Sequence, residues 1–159
     1  MATLQGKNLM LAIGGKVYGY ATACTLDISI DTTETASTSW KQMSAEGGES
    51  WKSFEISKKS WTVSTDNMTN TTLEGFDDLF TAITNSATNG KVSIKFGVVD
   101  YSTATDTDKD GNLDVDSSFK LTYTGEAVVT SISLTGSTEG EATYSVSLQG
   151  TGALTKATK

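Results

Sequence analysis

The C-terminal part of the chain contains two segments in which apolar and polar residues alternate, and this pattern constrains the fold most strongly. In the first segment, Val128, Ile132 and Leu134 would share one strand face with Thr130, while mostly serines occupy the positions between them. The second segment repeats the pattern between residues 142 and 148, after a glycine-containing connection. Because a repeat of two is that of a strand with one buried face, the sequence predicts an antiparallel hairpin, apolar toward a core and hydroxyl-rich toward water.

Shorter apolar or alternating runs recur along the rest of the chain and predict further strands. They cover residues 8–13, 16–20, 26–31, 54–56, 61–63, 92–98 and 119–123. A two-residue hairpin turn is expected at Gly14 and Gly15. The apolar residues change phase across Lys58 and Lys59, which indicates a bulge or bend there.

One helix is expected between the strand signals near residues 61 and 92. Thr71 and Glu74 have capping-box spacing, and an apolar stripe accompanies them. The stripe consists of Leu73, Phe76, Leu79, Phe80 and Ile83. With roughly eight or more strands and this helix, the chain is expected to form a mainly β, antiparallel sandwich or barrel with one packed α-helix. Its 159 residues fit a single domain.

Missing residue types and the net charge exclude several classes of function. The chain has no His and no Arg, and its formal net charge is −7. Without His, it lacks an ordinary general base near neutral pH and any Ser–His or Cys–His pair. Without Arg, it lacks the bidentate reader of phosphate or guanine, and the negative charge repels nucleic acid. We therefore expect neither an enzyme nor a static nucleic-acid-binding protein.

Two features bear on the cellular compartment. A single cysteine, Cys24, excludes an intramolecular disulfide and fits a reducing cytoplasm. The first residues show no signal-peptide pattern, and no apolar stretch is long enough for a membrane span. The sequence therefore predicts assembly in the cytoplasm, without a membrane partner.

A long polar excursion extends from about residue 32 to residue 53, where alternation gives way to Thr, Ser, Glu and Gly. Connections of this length are commonly functional or disordered. Trp40, Met43 and Trp51 lie in it, and a disordered linker rarely contains two tryptophans. Because Trp is enriched at interface hot spots, we expect an ordered loop that contacts a partner. The alternative is that these side chains fold back onto the chain's own core.

An acidic loop at about residues 101–118 has the spacing of a calcium-binding loop. Oxygen-bearing side chains recur at alternate positions, with Gly111 and Leu113 where an EF-hand-type loop has its sharp turn and apolar residue. The candidate ligands are Asp106, Asp108, Asp110, Asn112, Asp114 and Asp116. Ser117 stands where a bidentate Glu is usual, and no flanking helices are expected. A structural Ca²⁺ site and a solvated hairpin tip both remain open, and no cofactor is required.

Four segments, taken in order, resemble the phage major tail tube protein family, which is related to inner tube proteins of contractile injection and type VI secretion systems. They are residues 6–11, residues 21–32, residues 50–54 with 59–64, and residues 130–134 with 142–148. Each is an ordinary strand pattern, so the resemblance depends on their ordered co-occurrence along nearly the whole chain. The acidic loop departs from the common pattern and looks like an insertion.

The resemblance implies a single tail tube domain over residues 1–159. It implies hexameric rings that stack into a hollow tube, with one β-sheet from each subunit around the channel and a long loop that reaches the neighbouring ring. The implied role is that of a structural subunit of the virion tail, which forms the conduit for DNA delivery and assembles in the bacterial host cytoplasm. Trp40, Met43 and Trp51 then become candidates for the inter-ring contact.

The partners implied by the resemblance are mainly other tail proteins. They comprise further copies of the chain, a tape-measure protein, tail terminator or baseplate proteins and, in contractile tails, a sheath protein. DNA would be present only in transit.

A second hypothesis is a monomeric, calcium-stabilised β-sandwich binding module of the carbohydrate-binding or adhesin type. The tryptophans and the acidic loop favour it, whereas the lack of a secretion signal and the ordered family segments oppose it. The mass in solution separates the two hypotheses, because a module stays monomeric and a tube protein forms rings or polymer.

Overall fold

The computed structural model describes residues 4–14, 16–17, 21–35, 53–68, 73–99, 102 and 119–158. These residues form seven strands: β1 (Leu9–Ile13), β2 (Lys16–Val17), β3 (Ala21–Thr35), β4 (Ser53–Met68), β5 (Lys91–Val99), β6 (Phe119–Thr135) and β7 (Thr143–Thr158). They also form one α-helix, α1 (Glu74–Thr84), and a short 3-10 turn at Gly6–Asn8. The predicted mainly β class with one helix is confirmed. The described part of the chain contains seven strands rather than eight or more.

The strands form one sheet in the order β2-β1-β5-β6-β7-β4-β3. The predicted C-terminal hairpin is present, because β6 and β7 pair antiparallel from Leu121 with Thr158 to Thr135 with Thr143. The Cys24 thiol on β3 donates a hydrogen bond to the Leu9 carbonyl on β1, with a donor–acceptor distance of 3.6 Å. Burial raises the pKa of this half-buried thiol. Cys24 therefore acts as a small packing residue, as a half-buried and unactivated thiol does.

The chain divides into two compact units. The first comprises Met1–Asp27 and Trp61–Lys159, and the second comprises Ile28–Ser60. The division falls within β3 and within β4, so each of these long strands contributes to both units.

The core of the first unit is built from alternate residues of the strands and from one side of α1. Its buried members are Leu11, Ile13, Trp61, Val63, Leu79, Ile94, Phe96, Ala127, Tyr144, Val146 and Leu148. A smaller cluster, Ala12, Val99 and Phe119, is buried separately with Met10 packed against it. Since strand side chains alternate between faces, the two clusters use both faces of the sheet along β1 and β5.

The indole ring of Trp61 packs closely against two glycines, Gly125 of β6 and Gly150 of β7. A Cβ atom added at Gly125 would lie 2.6 Å from Cζ2 of Trp61, and one at Gly150 would overlap the indole ring still more. The indole N–H donates to the Gly152 carbonyl at 3.2 Å. The amide of Gln149 donates to the Trp61 carbonyl at 3.1 Å. The indole N–H and the main-chain carbonyl of Trp61 are therefore held by β7, and the ring packs against glycines of both β6 and β7.

The face assignment predicted for Val128 is wrong, because β6 carries a register shift between Val129 and Ser131. Val129 pairs with Leu148 and packs on the core together with Ile132. Val128 consequently faces the other side of the sheet. The extra residue is Thr130, whose hydroxyl donates to the Ser147 carbonyl at 2.9 Å. A bulge of this kind re-aims side chains without ending the strand.

The predicted capping box at the start of the helix is also wrong. Helix α1 begins at Glu74, and its N-cap is Leu73 in the left-handed region (φ 53°, ψ 29°) without a side-chain hydrogen bond. Glu74 is therefore the first helical residue rather than the third, and Thr71 lies outside the described residues. No helix in the described part of the chain is long and apolar enough to cross a membrane.

Candidate assembly surfaces

The site residues predicted from the sequence lie outside the described residues. This holds for Trp40, Met43 and Trp51. It also holds for the candidate calcium ligands Asp106, Asp108, Asp110, Asn112, Asp114 and Asp116. Within the described ranges, no three carboxylate, thiol or imidazole groups are placed to hold a metal ion. The inter-ring contact and the calcium site therefore stay predictions. The candidate surfaces below consist of described residues only.

The described part of the second unit is a two-stranded ribbon, formed by residues 28–35 and 53–60 and called the arm below. The Ser57 hydroxyl donates to the Asp31 carbonyl, and the Thr35 hydroxyl donates to the Ser53 carbonyl, both at 3.1 Å. An equivalent bond joins Thr155 to Thr124, which are directly opposed in β7 and β6. By the same geometry, Asp31 lies opposite Ser57 and Thr35 opposite Ser53.

This register places four large apolar side chains on one face of the arm. Side chains alternate along each strand, and directly opposed residues share a face. Ile28 and Ile30 therefore share a face with Phe54 and Ile56. Their exposed fractions are 57%, 52%, 58% and 57%. The other face carries polar residues, namely Ser29, Asp31, Thr33, Thr35, Ser53, Glu55, Ser57 and Lys59. An uncovered apolar face of this size is typical of an interaction surface.

The sequence predicted ordinary strands at these apolar residues, and a bulge or bend near Lys58 and Lys59 to account for the change of phase between Phe54 and Trp61. The Thr65 hydroxyl donates to the Ala23 carbonyl at 3.1 Å. From Ser57 to Thr65 and from Ala23 to Asp31 the spacing is the same, so neither strand contains an extra residue. The phase change itself indicates the exposed face. Phe54 and Ile56 lie on the opposite face of β4 from Trp61, because they do not belong to the core that contains Trp61.

A hydroxyl-rich surface covers the solvent side of β4, β6 and β7 in the first unit. The rows across the sheet are Ser64–Ser147–Ser131, Asp66–Ser145–Ser133 and Met68–Thr143–Thr135. In the middle row, the Ser145 hydroxyl donates to Oδ1 of Asp66 at 2.6 Å. Asp66 is the one charged side chain in these three rows. This surface presents hydroxyl groups to water and offers few fixed charges to anything that passes it.

The exposed side of α1 carries a second apolar strip, formed by Leu73, Phe80 and Ile83 and called the helix flank below. Their exposed fractions are 37%, 52% and 40%. The predicted stripe is therefore buried only in part, since Leu79 is in the core and Phe76 packs partly against it. All five residues of the stripe were expected to be buried, because they recur at helical spacing. The sheet covers a narrower side of the helix than the stripe occupies.

The buried side of α1 is anchored by an aromatic contact. The rings of Phe76 and Tyr144 meet edge to face, with centroids 6.3 Å apart and an interplanar angle of 81°. Burial, and secondarily the negative charge of Asp78, raises the pKa of Tyr144 to about 12. The phenol therefore stays neutral at physiological pH, and this side of the helix serves packing rather than acid–base chemistry.

Comparison of the whole chain with solved structures gives matches along almost its full length. A chain from the tail of an empty gene transfer agent (GTA) particle with C6 symmetry superposes with a TM-score of 0.61 at 17% identity, covering 96% of this chain and 98% of that one. A chain from the sheath–tube complex of an extracellular contractile injection system gives 0.65 at 12%, covering 99% and 93%. The SPP1 tail tube gives 0.60 at 12%, covering 99% and 80%.

No protein-family profile matches the sequence, and no curated protein sequence matches it either. The likeness is thus one of structure rather than of residues, with identities of 17% or less in the three structures above. Because it covers 96% or more of this chain in each case, it extends over the whole chain rather than one motif. The chain therefore has the tail tube fold.

Proposed function

We propose that this chain is the structural subunit of a tail tube, which assembles as hexameric rings stacked into a hollow conduit for DNA delivery. The observation that carries the proposal is the arm, whose four large apolar side chains are each more than half exposed. Burying an apolar side chain of this size stabilises a contact by about 1.5–3 kcal/mol. Similarity of the whole chain to tail and tube assemblies supports the same function.

Lateral contacts within a ring would use the sheet edges. Strands β2 and β3 are the outermost strands of the described sheet. An edge strand offers main-chain donors and acceptors to another chain. When such a contact is head-to-tail and the rotation fits, copies close into a ring.

The channel wall would be the hydroxyl-rich surface of β4, β6 and β7. Its serines and threonines hold water, and Asp66 adds negative charge. Phosphate groups are repelled by carboxylates and find no Arg anywhere in the chain. Such a wall lets DNA move without binding it.

The remaining contacts would be with other tail proteins. We propose that Trp40, Met43 and Trp51 lie at the inter-ring contact; shorter tubes from the Trp40→Ala, Trp51→Ala variant would support this, and tubes of unchanged length would contradict it. A tape-measure protein, terminator or baseplate proteins and, in a contractile tail, a sheath protein would complete the virion tail, which is assembled in the host cytoplasm. The role is non-catalytic.

The purified protein is expected to form rings or hollow tubes as its concentration rises. The measurement is negative-stain electron microscopy, combined with light scattering on the same sample. Tubes with sixfold end views would support the proposal. A particle that stays monomeric at every concentration, even with preformed tube fragments added as seeds, would contradict it and favour the monomeric binding module.

Calcium is expected to stabilise the subunit if residues 106–116 bind it as we propose. At a hundred times the dissociation constant, binding adds about 2.7 kcal/mol of stability, which corresponds to roughly 5–10 °C in melting temperature. Changing Asp106, Asp108 and Asp110 together to Ala should remove this rise. The melting temperature of both proteins is measured with Ca²⁺ and with EDTA. The unaltered protein failing to respond to millimolar Ca²⁺ would end the proposal.

A further inference from the structure

The helix flank combines apolar side chains with the carboxylate of Asp77. Phe80 lies three residues after Asp77, so these two side chains are neighbours on the helix surface, and Leu73 is the N-cap residue that precedes α1. Asp77 is exposed and makes no ion pair with another described residue. From Leu73 to Ile83 the strip is about 15 Å long, at about 1.5 Å per residue.

The apolar face of the arm carries the ammonium group of Lys58. Lys58 lies directly opposite Ile30 and two residues from Ile56, which places it on the apolar face, whereas Lys59 points to the polar face. Lys58 is exposed, and the described residues provide no ion-pair partner for it. From Ile28 to the position opposite Phe54 the face is about 20 Å long, at about 3.3 Å per residue. The stem of Lys58 can lie along apolar surface while its charge stays available.

We propose that the apolar face of the arm in one copy docks on the helix flank of a second copy, with an ion pair between Lys58 and Asp77 across the contact. The two strips are of similar length, and Lys58 is opposite in charge to Asp77. The other charged group on this face of the arm, Glu34, stands opposite Phe54, four positions along the strand from Ile30 and Lys58. Every copy of the chain carries both strips, so a helix flank is available for every arm. Because two different patches meet, the interface is head-to-tail and propagates, as the growth of a tube requires. The inference rests on the proposed tube function and names the surface that receives the arm.

The test uses two charge-reversing substitutions. Each variant alone should polymerise poorly, and a mixture of the two variants should polymerise well. Lys58→Asp and Asp77→Lys should each raise the concentration needed for polymerisation about tenfold or more, because attraction becomes repulsion at a close interfacial pair. In a mixture, every contact between the two variants joins a positive group to a negative one, because Lys58 meets Asp77 in one direction and the two reversed charges meet in the other. An equimolar mixture of the two should therefore polymerise in alternation, at a concentration within about threefold of that of the unaltered protein.

Two matched controls separate the contact from a general charge effect. Lys59→Asp makes the same charge change on the polar face of the arm and should leave polymerisation nearly unchanged. Glu139→Lys, at the exposed β6–β7 turn, should not restore assembly when mixed with Lys58→Asp. Circular dichroism and the melting temperature verify that all variants fold. Polymerisation is followed by sedimentation and electron microscopy at low salt.

The outcomes distinguish this inference from the function on which it rests. If the unaltered protein forms tubes but the mixture does no better than either variant alone, the arm docks elsewhere and the inference is overturned. The same conclusion follows if Lys59→Asp is as damaging as Lys58→Asp. If the unaltered protein forms no polymer at all, even when seeded, the proposed function fails and takes this inference with it.

Discussion

Replacing Gly150 by Ala should lower the free energy of unfolding by about 3 kcal/mol, at the upper end of the usual cost of overpacking a core. The added Cβ would overlap the indole ring of Trp61, whose own position is fixed by hydrogen bonds to Gly152 and from Gln149. Gly125 of β6 also lies against this ring, so the indole rests on a surface that has no side chains at these two positions. For a chain of this size the melting temperature should fall by roughly 6–12 °C. Thermal and denaturant unfolding measure the change.

The control for this variant is Gly136→Ala. Gly136 lies just beyond β6, and a Cβ added there would meet nothing within 4 Å. Its stability should change by about 0.5 kcal/mol at most, as at ordinary surface sites. A second test adds Trp61→Leu: once the indole is gone, the further cost of Gly150→Ala should drop to below about 1 kcal/mol, a large coupling for residues in contact. If Gly150→Ala lowered the free energy of unfolding equally with and without the indole, Trp61 would not pack against Gly150 as described.

Replacing Phe54 and Ile56 together by Ser should abolish polymerisation while the monomer stays folded. Both side chains are more than half exposed in the arm, so folding of the first unit does not depend on them. If the exposed part of each is buried on assembly, somewhat more than half of the full transfer energy is at stake, and the loss is about 2–3.5 kcal/mol per subunit contact. The concentration needed for polymerisation then rises by a factor of about 30 to 300. Sedimentation over a concentration series measures it, and circular dichroism verifies the fold.

The matched control changes the polar face of the same ribbon. Thr33→Ser with Glu55→Ser alters one residue in each strand, and both positions are exposed. These changes should leave the polymerisation threshold within about threefold of its original value. Polymerisation of the Phe54→Ser, Ile56→Ser variant at the original threshold would mean that the apolar face of the arm stays exposed in the tube.

Much of the fold could be predicted from the sequence because alternation is a local signal. The hairpin of β6 and β7, the two-residue turn between Ile13 and Lys16, and the presence of one helix all follow from patterns a few residues long. The bulge at Thr130 could not be predicted this way. Valine stands at both 128 and 129, so the pattern is compatible with either one facing the core. Only the register against Leu148 decides between them.

The candidate surfaces were harder to predict, because exposure depends on which other segments arrive. Phe54 and Trp61 are both aromatic residues of one strand, yet 58% of the first side chain is exposed and 4% of the second. The difference arises from Gly125 and Gly150, which are distant in sequence and leave room for an indole. In the same way, Phe80 and Leu79 are neighbours in the helix, and only the sheet beneath determines which of them is covered.

The sheet order has a consequence for synthesis on the ribosome. Strand β7 follows all the other described strands in the sequence, yet it lies between β6 and β4 in the sheet. Trp61 consequently waits for partners that are translated 88 and 91 residues later. Contacts this distant close slowly, so β4 cannot complete its core until β7 has been translated. Translation therefore delivers the arm well before the strand that completes the body carrying it.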